Sequence, residues 1–254
     1  MILTVNNLNV IYDAKSAPNR AVRDVSFELR ENSFCGLIGE SGSGKSTVLM
    51  TMLGLLPRGA RADGEILYGS RNIMNLPENE MNKVRQREIA LIPQGAMNSF
   101  TPVITIGGHI REVLDIHLGV RGDEADARIA ELLTDVELPA SVAGRYPHEL
   151  SGGQKQRAAI ALALSCGPKL VLADEPTTAL DVITQSSVMK LLEELRRKKG
   201  LTILLVTHDL PLAASVCDEL FVMKDGAIIE SGTPRRIVES PRETHTKALI
   251  AAML

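Results

Sequence analysis

No apolar run in this 254-residue chain reaches the ~20 residues needed to cross a bilayer. The opening Met1-Ile2-Leu3-Thr4-Val5-Asn6 lacks the basic segment and long apolar core of a secretory signal, and it reads as a strand. Positive charge is not in excess either. Against 28 Lys and Arg stand 31 Asp and Glu, a net charge of −3, so the chain carries no electrostatic footprint for nucleic acid. Cysteine is scarce: Cys35, Cys166 and Cys217 lie far apart inside apolar segments, which reads as buried structural thiols in a reducing, cytosolic compartment. Internal repeats and low-complexity linkers are absent as well. What remains is ordinary for a globular protein, 44% hydrophobic and 23% charged, and long enough for a substantial core.

Two hydrophobic patterns alternate along it. Asp24-Val25-Ser26-Phe27-Glu28-Leu29-Arg30 alternates as a half-buried strand does, and Gly64 to Gly69 is a second candidate. Phe34 to Ile38, Ile89 to Ile92, Leu170 to Ala173 and Thr202 to Val206 are instead continuously apolar, the pattern of parallel strands covered on both faces. Helices fall between them. Ile129, Leu132, Leu133 and Val136 share one helical face, as do Val188, Leu191, Leu192 and Leu195. Glu193 and Glu194 precede Arg197 and Lys198 by four residues, the favourable order for surface ion pairs. From about Gly95 to Leu150 the strand signal fades, which predicts an inserted helical subdomain.

The chemistry concentrates in a few stretches. Gly39-Glu40-Ser41-Gly42-Ser43-Gly44-Lys45-Ser46-Thr47 fits G-x-x-x-x-G-K-[ST] directly after a buried strand, the context a phosphate-binding loop requires. Its glycines let backbone N–H groups wrap phosphate oxygens at a helix N-terminus. Lys45 brings a point charge to the β- and γ-phosphates of a nucleoside triphosphate, and the Ser46 hydroxyl is placed for Mg²⁺. Asp174 ends an apolar strand, where its carboxylate can hold Mg²⁺ directly or through water. Glu175 beside it is the candidate to polarise the attacking water. Leu150-Ser151-Gly152-Gly153-Gln154 precedes an alanine-rich helix. Ser151, Gly152 and Gly153 offer donors to an anion there, and the local sequence equally allows a helix cap with no ligand.

With Leu-Ser-Gly-Gly-Gln unchanged between the phosphate loop and Asp174-Glu175, the whole chain resembles the nucleotide-binding subunit of an ABC (ATP-binding cassette) transporter. The resemblance implies an α/β fold: a P-loop NTPase core with a parallel sheet, an N-terminal antiparallel β subdomain and an inserted α-helical subdomain. It implies a core over about 1–94 and 155–235, helices over about 95–154 and a tail over about 236–254. It further implies that Gln94 contacts Mg²⁺ and relays to membrane subunits, that Asp181 in Ala179-Leu180-Asp181 belongs to the D-loop, and that His208 contacts the γ-phosphate. Tyr12 sits where an aromatic stacks on adenine, or packs within the strand subdomain. Ser151 to Gln154 would cap ATP held by another subunit.

A narrower likeness is to importers of the oligopeptide/dipeptide/nickel class. It rests on Asn98-Ser99-Phe100-Thr101-Pro102-Val103-Ile104-Thr105-Ile106-Gly107, on Tyr146-Pro147-His148-Glu149, and on the tail from Glu239 to Ile250. His245 stands where that class has Tyr, Glu243-Thr244 replaces His-Pro, and there is no cysteine-rich extension. The class implies an ATPase energising import of peptides or a related solute such as nickel or an oligosaccharide. Its partners would be a second ABC ATPase subunit, a paralogue ahead of a second copy, and two transmembrane permeases. A solute-binding protein would act indirectly, and nucleic acid would have no part. The expected location is peripheral, on the cytoplasmic face of the membrane. The alternatives are an accessory ABC ATPase of a cytosolic enzyme complex such as carbon–phosphorus lyase, and a soluble ABC ATPase acting on DNA or the ribosome. The latter usually carry coiled-coil, zinc-binding or tandem-cassette additions that this chain lacks. His109, His117, His148 and His245 lack the strand-end context of His208 and are assigned no chemistry.

Overall fold

The computed structural model describes residues 1–13, 19–95 and 99–251; Asn98 and residues 252–254 lie outside the described residues. The chain opens with β1 Leu3–Tyr12 and β2 Asn19–Leu29, then the wholly buried β3 Phe34–Ile38 and helix α1 Lys45–Met52. Next come β4 Ala60–Tyr68, β5 Arg71–Asn72, α2 Glu78–Val84 and β6 Ile89–Ile92. A helical stretch follows: α3 Ile106–Leu118, α4 Gly122–Asp135, 3-10 turns at Ala140–Gly144 and Pro147–Glu149, and α5 Gly152–Leu164. Then come β7 Leu170–Asp174, α6 Val182–Lys199, β8 Thr202–Thr207 and α7 Leu210–Val216. β9 Glu219–Lys224, β10 Ala227–Gly232, α8 Pro234–Glu239 and α9 Thr244–Ala251 complete the order. These elements group into two compact units, Met1–Met81 with Thr202–Leu254, and Asn82–Leu201.

In the first unit an antiparallel sheet runs β2-β1-β4-β5. Val25, Phe27 and Leu29 of β2 are buried while Ser26 and Glu28 are exposed, as alternation predicts. The strand nonetheless begins at Asn19, and its alternation skips a step between Val22 and Val25. Register shifts in the β1–β2 ladder mark a bulge there, with Asn7 and Asp24 both at positive φ. The Asn7 side-chain amide donates to the Asp24 carboxylate (2.6 Å), and the Asn9 side-chain oxygen accepts from the Asp24 N–H (3.0 Å). Short polar side chains thus satisfy what the interrupted ladder leaves unpaired. The same unit holds β3 in parallel between β8 and β9, with β10 antiparallel to β9. The Phe27 and Phe221 rings meet at 5.2 Å, joining β2 to β9.

In the second unit β6 and β7 pair in parallel, Ile89 opposite Leu170 through Ile92 opposite Ala173. The predicted faces of α4 and α6 are buried throughout. Arg157 of α5 donates to the Val136 carbonyl, to the Glu137 carboxylate and to the Ser187 hydroxyl, tying the end of α4 to α6. Of the ion pairs read from α6, Glu193–Arg197 forms at 2.7 Å, whereas Lys198 pairs with Asp135 at 2.6 Å. Cys35, Cys166 and Cys217 are all buried, and none of the three is in a disulfide. Burial pushes the Cys35 thiol up to about 11, out of thiolate chemistry at neutral pH.

Candidate functional site

The first unit carries the glycine-rich loop. The parallel pairing of β3 with β8 sets Ile38 opposite Thr207, so Gly39 and His208 follow neighbouring strand ends at one sheet edge. The chain then turns through residues 39–44 into α1. Gly44, the residue before the helix, has φ 102°, and a Cβ there would fall 2.3 Å from the Ala21 carbonyl oxygen. A Cβ on Gly39 would fall 2.2 Å from the carbonyl oxygen of Met223. Glycine is therefore demanded at both places by conformation and close approach.

Lys45 is buried, and its ammonium donates to the Gly39 carbonyl (2.7 Å), the Glu40 carbonyl (2.8 Å) and the Ser43 hydroxyl (3.2 Å). The positive charge is thereby held inside the loop that precedes the helix. The turn between β9 and β10 braces this loop: the Gly226 N–H donates to the Ser43 carbonyl at 3.1 Å. The Tyr12 hydroxyl lies 3.1 Å from the Thr47 hydroxyl, placing the ring beside the first turn of α1. His208 is exposed at the end of β8, and Asp209 caps α7 by accepting from the Leu212 N–H at 2.8 Å.

In the second unit, Asp174 ends β7 with 4% exposure. Glu175 follows at φ 44°, an uncommon backbone for a non-glycine residue. Its Oε2 accepts from the Gln94 side-chain amide and from the Thr178 hydroxyl, each at 3.0 Å. The β6–β7 register creates the first of these bonds, because Ile92 and Ala173 are opposite and Gln94 and Glu175 each lie two residues beyond. Asp181 caps α6, accepting from the Thr184 N–H (2.9 Å) and hydroxyl (2.7 Å). The Thr184 hydroxyl and N–H hold its carboxyl below the usual aspartate range.

Of the two readings of the Ser151 stretch, the helix cap is the one seen in the hydrogen bonds. Ser151 caps α5: its hydroxyl accepts from the Gln154 N–H (3.3 Å), and the Gln154 side chain accepts from the Ser151 N–H (3.1 Å). This capping box fixes the start of an α5 whose first turn, Gly152 and Gly153, is bare of side chains. A Cβ on Gly153 would meet the Thr184 methyl at 2.9 Å, so the loop lies against the start of α6.

Tyr12, residues 39–47 and His208 thus fall in the first unit, and Gln94, Ser151 to Gln154, Asp174, Glu175 and Asp181 in the second. Local sequence missed Thr178, Ala21 and the Met223–Gly226 turn. Ala21 and Met223 act through their carbonyls and Gly226 through its N–H, which carry no motif; only the threonine following the Asp-Glu pair offered a signal. Among the described residues no group of three His, Cys, Asp or Glu forms a metal cluster, and no helix is long and apolar enough to cross a membrane.

A glycine-rich loop joining a buried parallel strand to a helix, with a lysine drawn into it, defines a P-loop nucleotide-binding protein. A family model described as "ABC transporter" matches residues 22–178. The chain belongs to that family, and it is an ATP-binding ATPase. It is 40% identical over 254 residues to the oligopeptide transport ATP-binding protein OppD of Haemophilus influenzae, covering 99% of this chain and 79% of that one. To the dipeptide transport ATP-binding protein DppD of Escherichia coli the identity is 38%, over 99% and 78%. Among solved structures, a dimeric ATP-binding cassette in a post-hydrolysis state, bound to ADP and phosphate, superimposes with a TM-score of 0.80 at 31% identity, covering 92% of this chain and 99% of that one.

Proposed function

We propose that this ATPase energises a membrane importer of peptides or a chemically related solute, seated on the cytoplasmic face of the membrane through two permease subunits. The observation that carries this reading is the 40% identity to an oligopeptide transport protein along 99% of the chain rather than along the ATP motifs alone.

In this reading Gly39 to Thr47 cradle the phosphates, Lys45 neutralises charge on the β- and γ-phosphates, and Tyr12 lies against adenine. Ser46, Asp174 and Gln94 supply a hydroxyl, a carboxylate and an amide oxygen, a donor set of hard oxygens that suits Mg²⁺. Held by them, Mg²⁺ would supply positive charge against that building on the transferred phosphoryl group. Glu175 orients the attacking water, its carboxylate held in place by Gln94 and Thr178. His208, at the strand end beside Gly39, contacts the γ-phosphate. Asp181 fixes the start of α6 next to the Ser151 loop.

The capped start of α5 presents the bare first turn of Gly152 and Gly153 to an anion. That supports a shared site, in which Ser151 to Gln154 of one subunit close over ATP bound by a second ABC ATPase subunit, a paralogue ahead of a copy; the dimeric solved cassette supports such pairing. Closure adds donors around the γ-phosphate, so ATP favours the closed pair and hydrolysis releases it. The helical stretch 95–154 and Gln94 would carry that motion to the permeases. The test is Ser151→Arg. In the assembled complex hydrolysis should fall at least about tenfold, while ATP binding by the isolated chain is unchanged. Wild-type chain alone hydrolysing ATP as fast as the complex would refute the shared site.

A further inference from the structure

The C-terminal segment reaches back to the phosphate loop. His245 of α9 lines a cavity of about 80 Å³ together with Glu40, Ser41, Gly42 and Ser43 of the loop and Met223, Lys224 and Asp225 of the β9–β10 turn. Its Nε2 is buried and has no hydrogen-bond partner among the described residues. A buried polar atom is normally paired with a protein group or an ordered water. The cavity separates the loop from the imidazole, and a water there or a shift of the loop across it brings the two into hydrogen-bond contact.

A second, independent contact anchors the same segment. Glu230 of β10 is 6% exposed, and its two carboxylate oxygens accept from the backbone N–H groups of Arg242 (2.9 Å) and Glu243 (3.1 Å), immediately before α9. Those N–H groups lie where a helix lacks internal acceptors, so a buried anion there stabilises the start of α9. Glu230, α9 and His245 therefore link β10 to the face of the phosphate loop. The β9–β10 turn makes the parallel link through Gly226 and Ser43.

We propose that residues 242–251 are part of the nucleotide-binding apparatus, with His245 a positioning residue that holds Glu40 to Ser43 in the form that receives phosphate. The proposal rests on the reading of Gly39 to Thr47 as the phosphate loop. Because docking of the segment and binding of nucleotide favour one another, each must shift the other by the same factor.

The experiment uses the full chain with ATP and with ADP as probes. Against wild type, His245→Ala should weaken both affinities by about five- to tenfold in equilibrium titration, and His245→Gln, which keeps a hydrogen-bonding group, should recover most of the loss. Saturating ATP should slow tryptic cleavage of wild type after Arg242 and Lys247 by a similar factor. That measurement needs no variant, so a poorly folding substitution does not decide the matter. Unchanged cleavage with ATP, or wild-type affinity in His245→Ala, overturns the proposal. Lys45→Ala separates the layers. If it alone loses nucleotide, the loop stands and the tail's role falls; if it binds like wild type, the loop reading itself falls.

Discussion

Gly44 shows how much one position can carry. Its φ of 102° lies outside the range of L side chains, and the Ala21 carbonyl would stand 2.3 Å from any Cβ. Gly44→Ala should therefore cost about 1–3 kcal/mol of backbone strain, displace the loop and abolish measurable ATP binding, as titration and a thermal melt would report. Unaltered binding would show that the loop tolerates a side chain there. Gly39, Gly44, Lys45 and Ser46 were legible in the sequence because one contiguous motif encodes loop, helix start and charge. Glu175 was legible as an acid at a strand end, but its positive φ and its bond to Gln94 were not. That contact bridges 81 residues and exists only because β6 and β7 adopt one particular register. His245 was assigned no chemistry from the sequence, and it gains significance only from what α9 is packed beside.

At the level of elements, the period of the hydrophobic pattern identified β3, β6, β7 and β8, and the buried faces of α4 and α6. It failed where polar side chains reorganise the backbone, as at the Asn7–Asn9–Asp24 bulge that breaks the alternation of β2. Charge spacing within α6 likewise predicted only its internal pairs. Lys198 and Lys199 turn instead to Asp135 at the end of α4, each at 2.6 Å, with the Asp135 side chain 6% exposed. Burial alone would push this carboxyl up, but the two ammonium groups outweigh it and hold it below the ordinary aspartate range. A depressed folded value means the stabilisation is present above the unfolded pKa and is lost as pH falls through the folded one. Asp135→Asn should destabilise by about 1–2 kcal/mol, more than an exposed pair and less than a fully buried one. The deficit should be full at neutral pH and shrink on acidification below pH ~4. Melting curves across that range check it, and a deficit independent of pH would place the cost in packing instead.

For the whole molecule, the division of the chain into two compact units separates the site residues. The phosphate loop, Tyr12 and His208 belong to one unit; Asp174, Glu175, Gln94 and the Ser151 loop belong to the other. The α/β class and the ATPase chemistry were readable from motif order alone, since each motif combines a backbone geometry with a side chain. The transported solute was not readable, because the residues that handle ATP encode nothing about cargo. In the proposed function, water directed by Glu175 attacks the ATP held by the phosphate loop, and this step drives what is docked to the protein. The most direct test is Glu175→Gln in the assembled complex, measuring ATP affinity and turnover together. Affinity should remain while turnover falls at least about tenfold; turnover equal to wild type would contradict the account at its centre.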